Sequence, residues 1–314
     1  MVRGASPQSA RGFHGPARRA EVLEPAFSAF AAILWALGSV GILACGGFIG
    51  LVVFIVLLIQ RKLTGGVRVG SNYGGVYAET FALFLMLFIG LSFLLHWVTW
   101  PIAPLIKSSL VPLGSLLAVV WPVVRGLSWA QVREDIGWNL GRSPALEPAL
   151  GVACYILALP IVLIGFVLTL VLMALRNQLD GLGVGALAQH EPIHPIIEFL
   201  VNGSAMDRVL VFIDACILAP IVEETMFRGV LYRHLRELSR RWAWFWSVIF
   251  SGTIVSFLFA VIHPQGLVAV PVLMALAYGF TIAREWRGSL IPSMVGHALN
   301  NGLVVLFVIL MMGK

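Results

Sequence analysis

Long apolar runs recur along this chain, and they leave few folds open to it. About 18–20 consecutive apolar residues suffice for a helix to cross the hydrocarbon layer of a bilayer. Residues 31–59, 81–98, 150–175, 245–262 and 290–312 reach that length. The run 209–222 falls short unless its helix runs on, and the shorter runs 110–124 and 267–283 are predicted to cross as well. Backbone amides in lipid find partners only within their own segment, so these spans are helices rather than open sheet. The fold class predicted is all-α, a polytopic membrane bundle of about eight transmembrane helices.

Composition agrees. Of the 314 residues, 59% are hydrophobic and only 11% are charged, whereas a soluble domain carries roughly 25% charged residues. The net charge of +6 comes from basic residues placed mostly in short polar connections, where juxtamembrane Lys and Arg are expected. No basic helix or stacking platform accompanies them, which sets nucleic acid aside. The partners expected are membrane lipid and a peptide or protein substrate at the membrane. Cys45, Cys154 and Cys216 each lie within an apolar run, and an odd number so spaced makes neither a disulfide framework nor a metal motif.

Residues 1–26, rich in Arg, Gly, Pro and Ala, have no helical apolar period and are predicted to be a disordered tail. Residues 27–145 hold the N-terminal transmembrane helices and, at Trp129-Ala-Gln-Val-Arg-Glu-Asp-Ile-Gly137, a short amphipathic helix expected along the interface. Residues 146–314 form the C-terminal half. With eight spans, one side collects Arg61, Lys62, Arg68, Arg125, Arg133, Arg142, Arg233, Arg236, Arg240, Arg241, Arg284 and Arg287, and the other Lys107, Arg176, Arg208, Lys314 and the tail arginines Arg3, Arg11, Arg18 and Arg19. The positive-inside rule puts the first set in the cytoplasm, although the basic tail argues the other way. Gly46-x-x-x-Gly50 permits close helix contact. Trp242, Trp244 and Trp246, following Arg240-Arg241, have the pattern of an interfacial belt.

Ionisable groups inside a span are costly and point to function. Asp214 and the adjacent pair Glu223-Glu224 are the acids that fall within apolar runs. Glu224 and Arg228 are four apart, share a helix face and can pair. Glu223 points about 100° away, with no partner nearby in sequence; a carboxylate so placed, if buried, is suited to accept a proton. Two further constellations lie downstream: Phe259-Ala-Val-Ile-His263 and His297-Ala-Leu-Asn-Asn301. Either histidine alone could be polar glue between helices. Together with Glu223 they can do more. Glutamate and imidazole can hold and deprotonate a water, and a second imidazole with an amide can donate hydrogen bonds to a developing oxyanion.

In this order and spacing, Glu-Glu-x-x-x-Arg, Phe-x-x-x-His and His-x-x-x-Asn resemble the CAAX-protease and bacteriocin-processing family of intramembrane endopeptidases, also known as the type II CAAX prenyl protease or Abi-like family. The resemblance covers roughly residues 150–308, and the flanking Ala219-Pro220 and Arg228-Gly229 fit it too. It implies an intramembrane peptidase core in residues 146–314. Glu223 would be the general base, assisted by His263. His297 and Asn301 would form the oxyanion hole, with Glu224, Arg228 and Phe259 supporting the site. The substrate implied is membrane-associated or a C-terminal tail. The compartment implied is an integral, multi-pass membrane position, the cytoplasmic membrane if the host is bacterial.

His190-Glu-Pro-Ile-His194 matches the zinc-peptidase pattern His-Glu-x-x-His. That pattern works only on a helix, and Pro192 and Pro195 disfavour one. No cofactor is expected at the main site. The alternative is zinc held by Glu223, His263 and His297, with a position open for water; against it, no carboxylate lies near either histidine in sequence to orient the ring. Two other functions compete: a non-catalytic immunity or binding protein on the same scaffold, and a proton-coupled transporter. The transporter lacks paired broken spans in matching halves.

Overall fold

In the computed structural model, residues 38–39, 41–57, 60, 66–67, 69, 73–97, 104–181 and 195–312 are described. The tail 1–26 and the segment 182–194, with His190 and His194, lie outside them. The chain divides into residues 1–45, of which only 38–39 and 41–45 are described, and residues 46–314, which hold the bundle.

Every regular element among the described residues is helical. In chain order they are α1 (Gly41–Leu57), α2 (Val76–Trp97), α3 (Pro104–Val124, with a 3-10 turn at Leu116–Val120), α4 (Trp129–Ile136) and α5 (Glu147–Gly181). There follow α6 (Pro195–Asn202), α7 (residues 205–238), α8 (Trp244–Val261), α9 (Val270–Arg287, entered by a 3-10 turn at Leu267–Ala269) and α10 (Ile291–Met312). Six stretches are long and apolar enough to cross a membrane: α2, α3, α5, α8, α9 with its entering turn, and α10. The chain is thus a multi-pass integral membrane protein. The two remaining predicted spans coincide with α1, which is apolar but shorter, and with α7.

The lipid-facing surface is apolar, as a bilayer requires: Met86, Ile89 and Phe93 on α2, Ile164 and Phe166 on α5, and Phe307 and Leu310 on α10 are all exposed. Inside, helices meet through small residues, which let backbones approach. A methyl group at Gly151 of α5 would lie 2.7 Å from the carbonyl oxygen of Pro292, and one at Gly165 would lie 2.6 Å from that of Pro271. These contacts set the depth at which α9 and α10 lie on α5. On α1, Gly47 and Gly50 make the close approach to Ile156 and Leu157, while Gly46 meets nothing. The small-residue pair is therefore one position off the Gly46-x-x-x-Gly50 expected.

α7 departs from regular α geometry twice. It begins with a capping box at Ser204 and Asp207, passes through a π-helical turn at Asp214–Leu218, returns to α at Ala219–Glu223, and enters a second π stretch at Glu224–Leu231 before Tyr232–Leu238 completes it. Proline lacks the N–H that an interior helical position supplies, and Pro220 is the second residue after the first π turn. Wide turns of this kind are rare and concentrate at functional sites.

One end of the bundle is tied by buried charge. Arg233 contacts Asp135 and Glu237, both at 3.4 Å, Arg236 pairs with Glu285 at 3.2 Å, and Arg287 pairs with Glu147 at 2.7 Å. Glu285 also accepts from Tyr232 and Trp244, and Asp135 from Tyr77. Arg233, Arg236 and Arg284 are all buried. They gather on one side, as expected, but as internal partners rather than as loop charges facing headgroups, so they drop out of the positive-inside count. The predicted amphipathic helix, α4, is docked here: Val132 and Ile136 are fully buried, and its Asp135 carbonyl accepts from Arg284.

Candidate active site

Glu223 closes the α-helical segment between the two π stretches of α7, and Glu224 opens the second. The two carboxylates consequently face different surroundings. Glu224 is completely buried, and its Oε1 receives Arg228 Nη1 at 3.0 Å. Arg228 is also completely buried; its Nη2 donates to the Ala277 carbonyl of α9 at 3.2 Å, and its guanidinium lies 4.4 Å from the Phe259 ring centre and 5.4 Å from that of Phe280. Burying two charges in a dry interior is tolerable only with such close pairing and added hydrogen bonds.

Glu223, by contrast, keeps 29% of its side chain exposed, and its Oε2 has no hydrogen-bond partner. Two imidazoles face that oxygen. His263, just past the end of α8, has Nε2 3.8 Å away, and His297, in α10, also has Nε2 3.8 Å away. Both rings are fixed from behind. His263 Nδ1 lies 2.8 Å from the Phe259 carbonyl, and His297 Nδ1 lies 2.9 Å from Glu224 Oε1. A carbonyl and a carboxylate only accept, so each Nδ1 carries the proton and each Nε2 is turned toward Glu223. At 3.8 Å the separations exceed a direct hydrogen bond and suit a bridging water.

The carboxylate absent from the sequence neighbourhood of the histidines is thus supplied by the fold. Glu224 lies 73 positions from His297 and holds its ring, which removes the objection that neither histidine has an acidic partner. Phe259 packs against both imidazoles, with ring centres 4.2 Å from His263 and 5.9 Å from His297. Phe280 of α9, which no sequence motif singled out, stacks on His297 at 5.1 Å with the planes 17° apart. A phenylalanine in an apolar span carries no local signal of such a role.

Asn301, one turn beyond His297 on α10, donates from Nδ2 to the Ala215 carbonyl at 2.8 Å. Within the first π turn the Ala219 amide bonds the Asp214 carbonyl, five residues back. The next amide in that register would serve Ala215, but residue 220 is proline. Pro220 leaves the Ala215 carbonyl without that donor, and Asn301 fills the place. Asp214, the third acid within an apolar run, accepts from Ser109 of α3 at 2.8 Å and so joins two helices. The pair His190 and His194 lies outside the described residues, and among the described residues no group of three His, Cys, Asp or Glu, Glu223, His263 and His297 included, is placed closely enough to hold a metal ion as it stands.

Glu223 from α7, His263 from just past the end of α8 and His297 from α10 therefore come to one point, with Glu224, Arg228, Phe259 and Phe280 packed behind them and Asn301 tied to the π turn. No curated protein and no solved structure matches the chain. Residues 205–303, the stretch that contains all of these groups, match the family model described as type II CAAX prenyl endopeptidase Rce1-like, the family that the Glu-Glu, Phe-His and His-Asn motifs resemble.

Proposed function

We propose that the chain is an intramembrane endopeptidase that hydrolyses a peptide bond of a membrane-associated or C-terminal-tail substrate with water activated by Glu223. The observation that carries this reading is the partnerless Oε2 of Glu223, 3.8 Å from Nε2 of both His263 and His297. A water held there by Glu223 and His263 gives one proton to Glu223 as its oxygen attacks the scissile carbonyl carbon. The oxyanion that forms is met by donors from His297 and Asn301. Collapse of this intermediate breaks the C–N bond, and the proton on Glu223 passes to the leaving amine, giving an acid and an amine.

The donor role has a consequence for His297. Its Nδ1 proton is committed to Glu224, so Nε2 donates only if it is protonated as well. The Asn301 amide has two N–H donors; one serves Ala215 and the other is left for the oxyanion.

Zinc at Glu223, His263 and His297 is a second reading, favoured by the acceptors that hold both Nδ1 atoms, as they do around metal-bound histidines. Bonds of about 2.0–2.2 Å in a tetrahedral site put ligand atoms about 3.4 Å apart, so the three groups would contract on binding it. The decisive experiment is peptide-fragment mass spectrometry of membranes containing the wild-type protein or Glu223→Gln, with and without a strong chelator. The proposal expects fragments that vanish with Glu223→Gln, a loss of about 10²–10⁴-fold in rate, and persist with chelator. Loss on chelation with recovery on zinc would move the chemistry to a metal. Undiminished function in Glu223→Gln would favour the non-catalytic immunity or binding role.

A further inference from the structure

A second binding site lies at the other end of α8 from His263. The turn between α7 and α8 carries Arg240 and Arg241, both exposed, and leads into the exposed Trp242, Trp244 and Trp246. Beside it Trp242, Trp246, Ile249, Phe250, Thr253 and Ile254 line a shallow, widely open apolar groove of about 550 Å³ along the face of α8. Trp242 and Phe250 pack together with ring centres 5.0 Å apart.

Charge complementarity names the occupant. The basic residues of this region divide into two groups. Arg233 and Arg236 are buried against Asp135, Glu237 and Glu285. Arg240 donates only to the Glu237 carbonyl, at 3.3 Å, and among the described residues neither Arg240 nor Arg241 pairs with a carboxylate. Two exposed arginines consecutive in the chain can both reach one phosphate, and tryptophans beside them mark the headgroup level of a bilayer. A groove starting at that level and lined by apolar side chains along α8 fits an acyl chain.

The geometry points to a seat for one anionic phospholipid, its phosphate on Arg240 and Arg241 and one acyl chain in the groove lined by Trp242, Trp246, Ile249, Phe250, Thr253 and Ile254. A neutral lipid fills the groove but lacks the charge to engage both arginines, and a free phosphate lacks the chain. At roughly a factor of five per arginine near a membrane surface, the two together favour the anionic lipid by about 30-fold.

The test is native mass spectrometry of the full-length protein in detergent, titrated with phosphatidylglycerol, with phosphatidylcholine of the same chains, or with glycerol phosphate. The expected result is a one-to-one phosphatidylglycerol adduct about 30-fold tighter than that of phosphatidylcholine, with no adduct from glycerol phosphate. Arg240→Gln with Arg241→Gln, on an exposed turn where folding is not at issue, should bring phosphatidylglycerol down to the phosphatidylcholine level. Ile249→Trp, which fills the groove, should weaken both lipids. Equal retention of the two lipids by the wild type, an arginine double variant that still prefers phosphatidylglycerol, or glycerol phosphate binding as well as the lipid would each overturn the proposal.

Discussion

His297 Nδ1 and Arg228 Nη1 share one acceptor, Oε1 of Glu224, at 2.9 and 3.0 Å. The adjacent Glu223 offers its Oε2 to neither Arg228 nor any other partner. Neighbouring glutamates are thereby separated into one that holds the site and one whose free oxygen lies between the two imidazoles. For Glu223→Gln we predict folding and melting temperature close to wild type, with peptidase activity lowered by about 10²–10⁴-fold. Glu224→Gln leaves the Arg228 charge buried without its counter-ion, at a cost of roughly 3–5 kcal/mol, and its melting temperature should fall by on the order of 10 °C. It should also lose about 10–100-fold in activity per folded molecule, because the ring of His297 loses its orienting carboxylate. Melting temperature and specific activity of both variants check this; equal loss of both quantities in the two would remove any separate chemical role for Glu223.

Phe280 stacks on His297 and lies beside the Arg228 guanidinium. Phe280→Leu keeps apolar bulk but removes the aromatic face, whose interaction with a desolvated cation is worth about 2 kcal/mol. We expect a modest drop in melting temperature and a fall in kcat with KM little changed, since the ring supports His297 and not the substrate. Steady-state kinetics decide it. An unaltered kcat would mean that the stack does not position the imidazole.

Pro220 withholds an amide from the Ala215 carbonyl, and Asn301 takes the vacancy. Pro220→Ala returns that N–H to the helix and competes with Asn301. Because proline costs about 3 kcal/mol in a helix interior, the variant should melt at the wild-type temperature or higher, while kcat falls as Asn301 loses its anchor. A less stable protein with full kcat would contradict the link between the proline and the amide.

At Gly229 a methyl group would lie 2.9 Å from the Ile136 carbonyl oxygen and 3.2 Å from the Ile136 side chain. Gly229→Val should therefore push α4 away from α7 and disturb the contact between Asp135 and Arg233. Overpacking of this kind costs about 1–3 kcal/mol, and the measurement is thermal unfolding in detergent. A variant as stable as wild type would show that α4 shifts without cost.

The sequence by itself determined what depends on short stretches of chain. Apolar runs mark spans because crossing a bilayer requires only length and hydrophobicity within one segment, and all six stretches apolar enough to cross were visible in that way. Helical periodicity likewise placed Arg228 beside Glu224 and turned Glu223 away from it. The cost of polar groups in lipid singled out His263, His297 and Asn301. What only the tertiary structure decided lies between helices: that Glu224 reaches His297, that Phe280 covers its ring, and that Asn301 finds the Ala215 carbonyl. It also turned Arg233, Arg236 and Arg284, which look in sequence like loop charges, into buried partners. Such pairings depend on the depth and rotation of each helix against the next. Those are set where backbones close on small residues such as Gly151 and Gly165, and the periodicity of one helix carries no information about the depth of another.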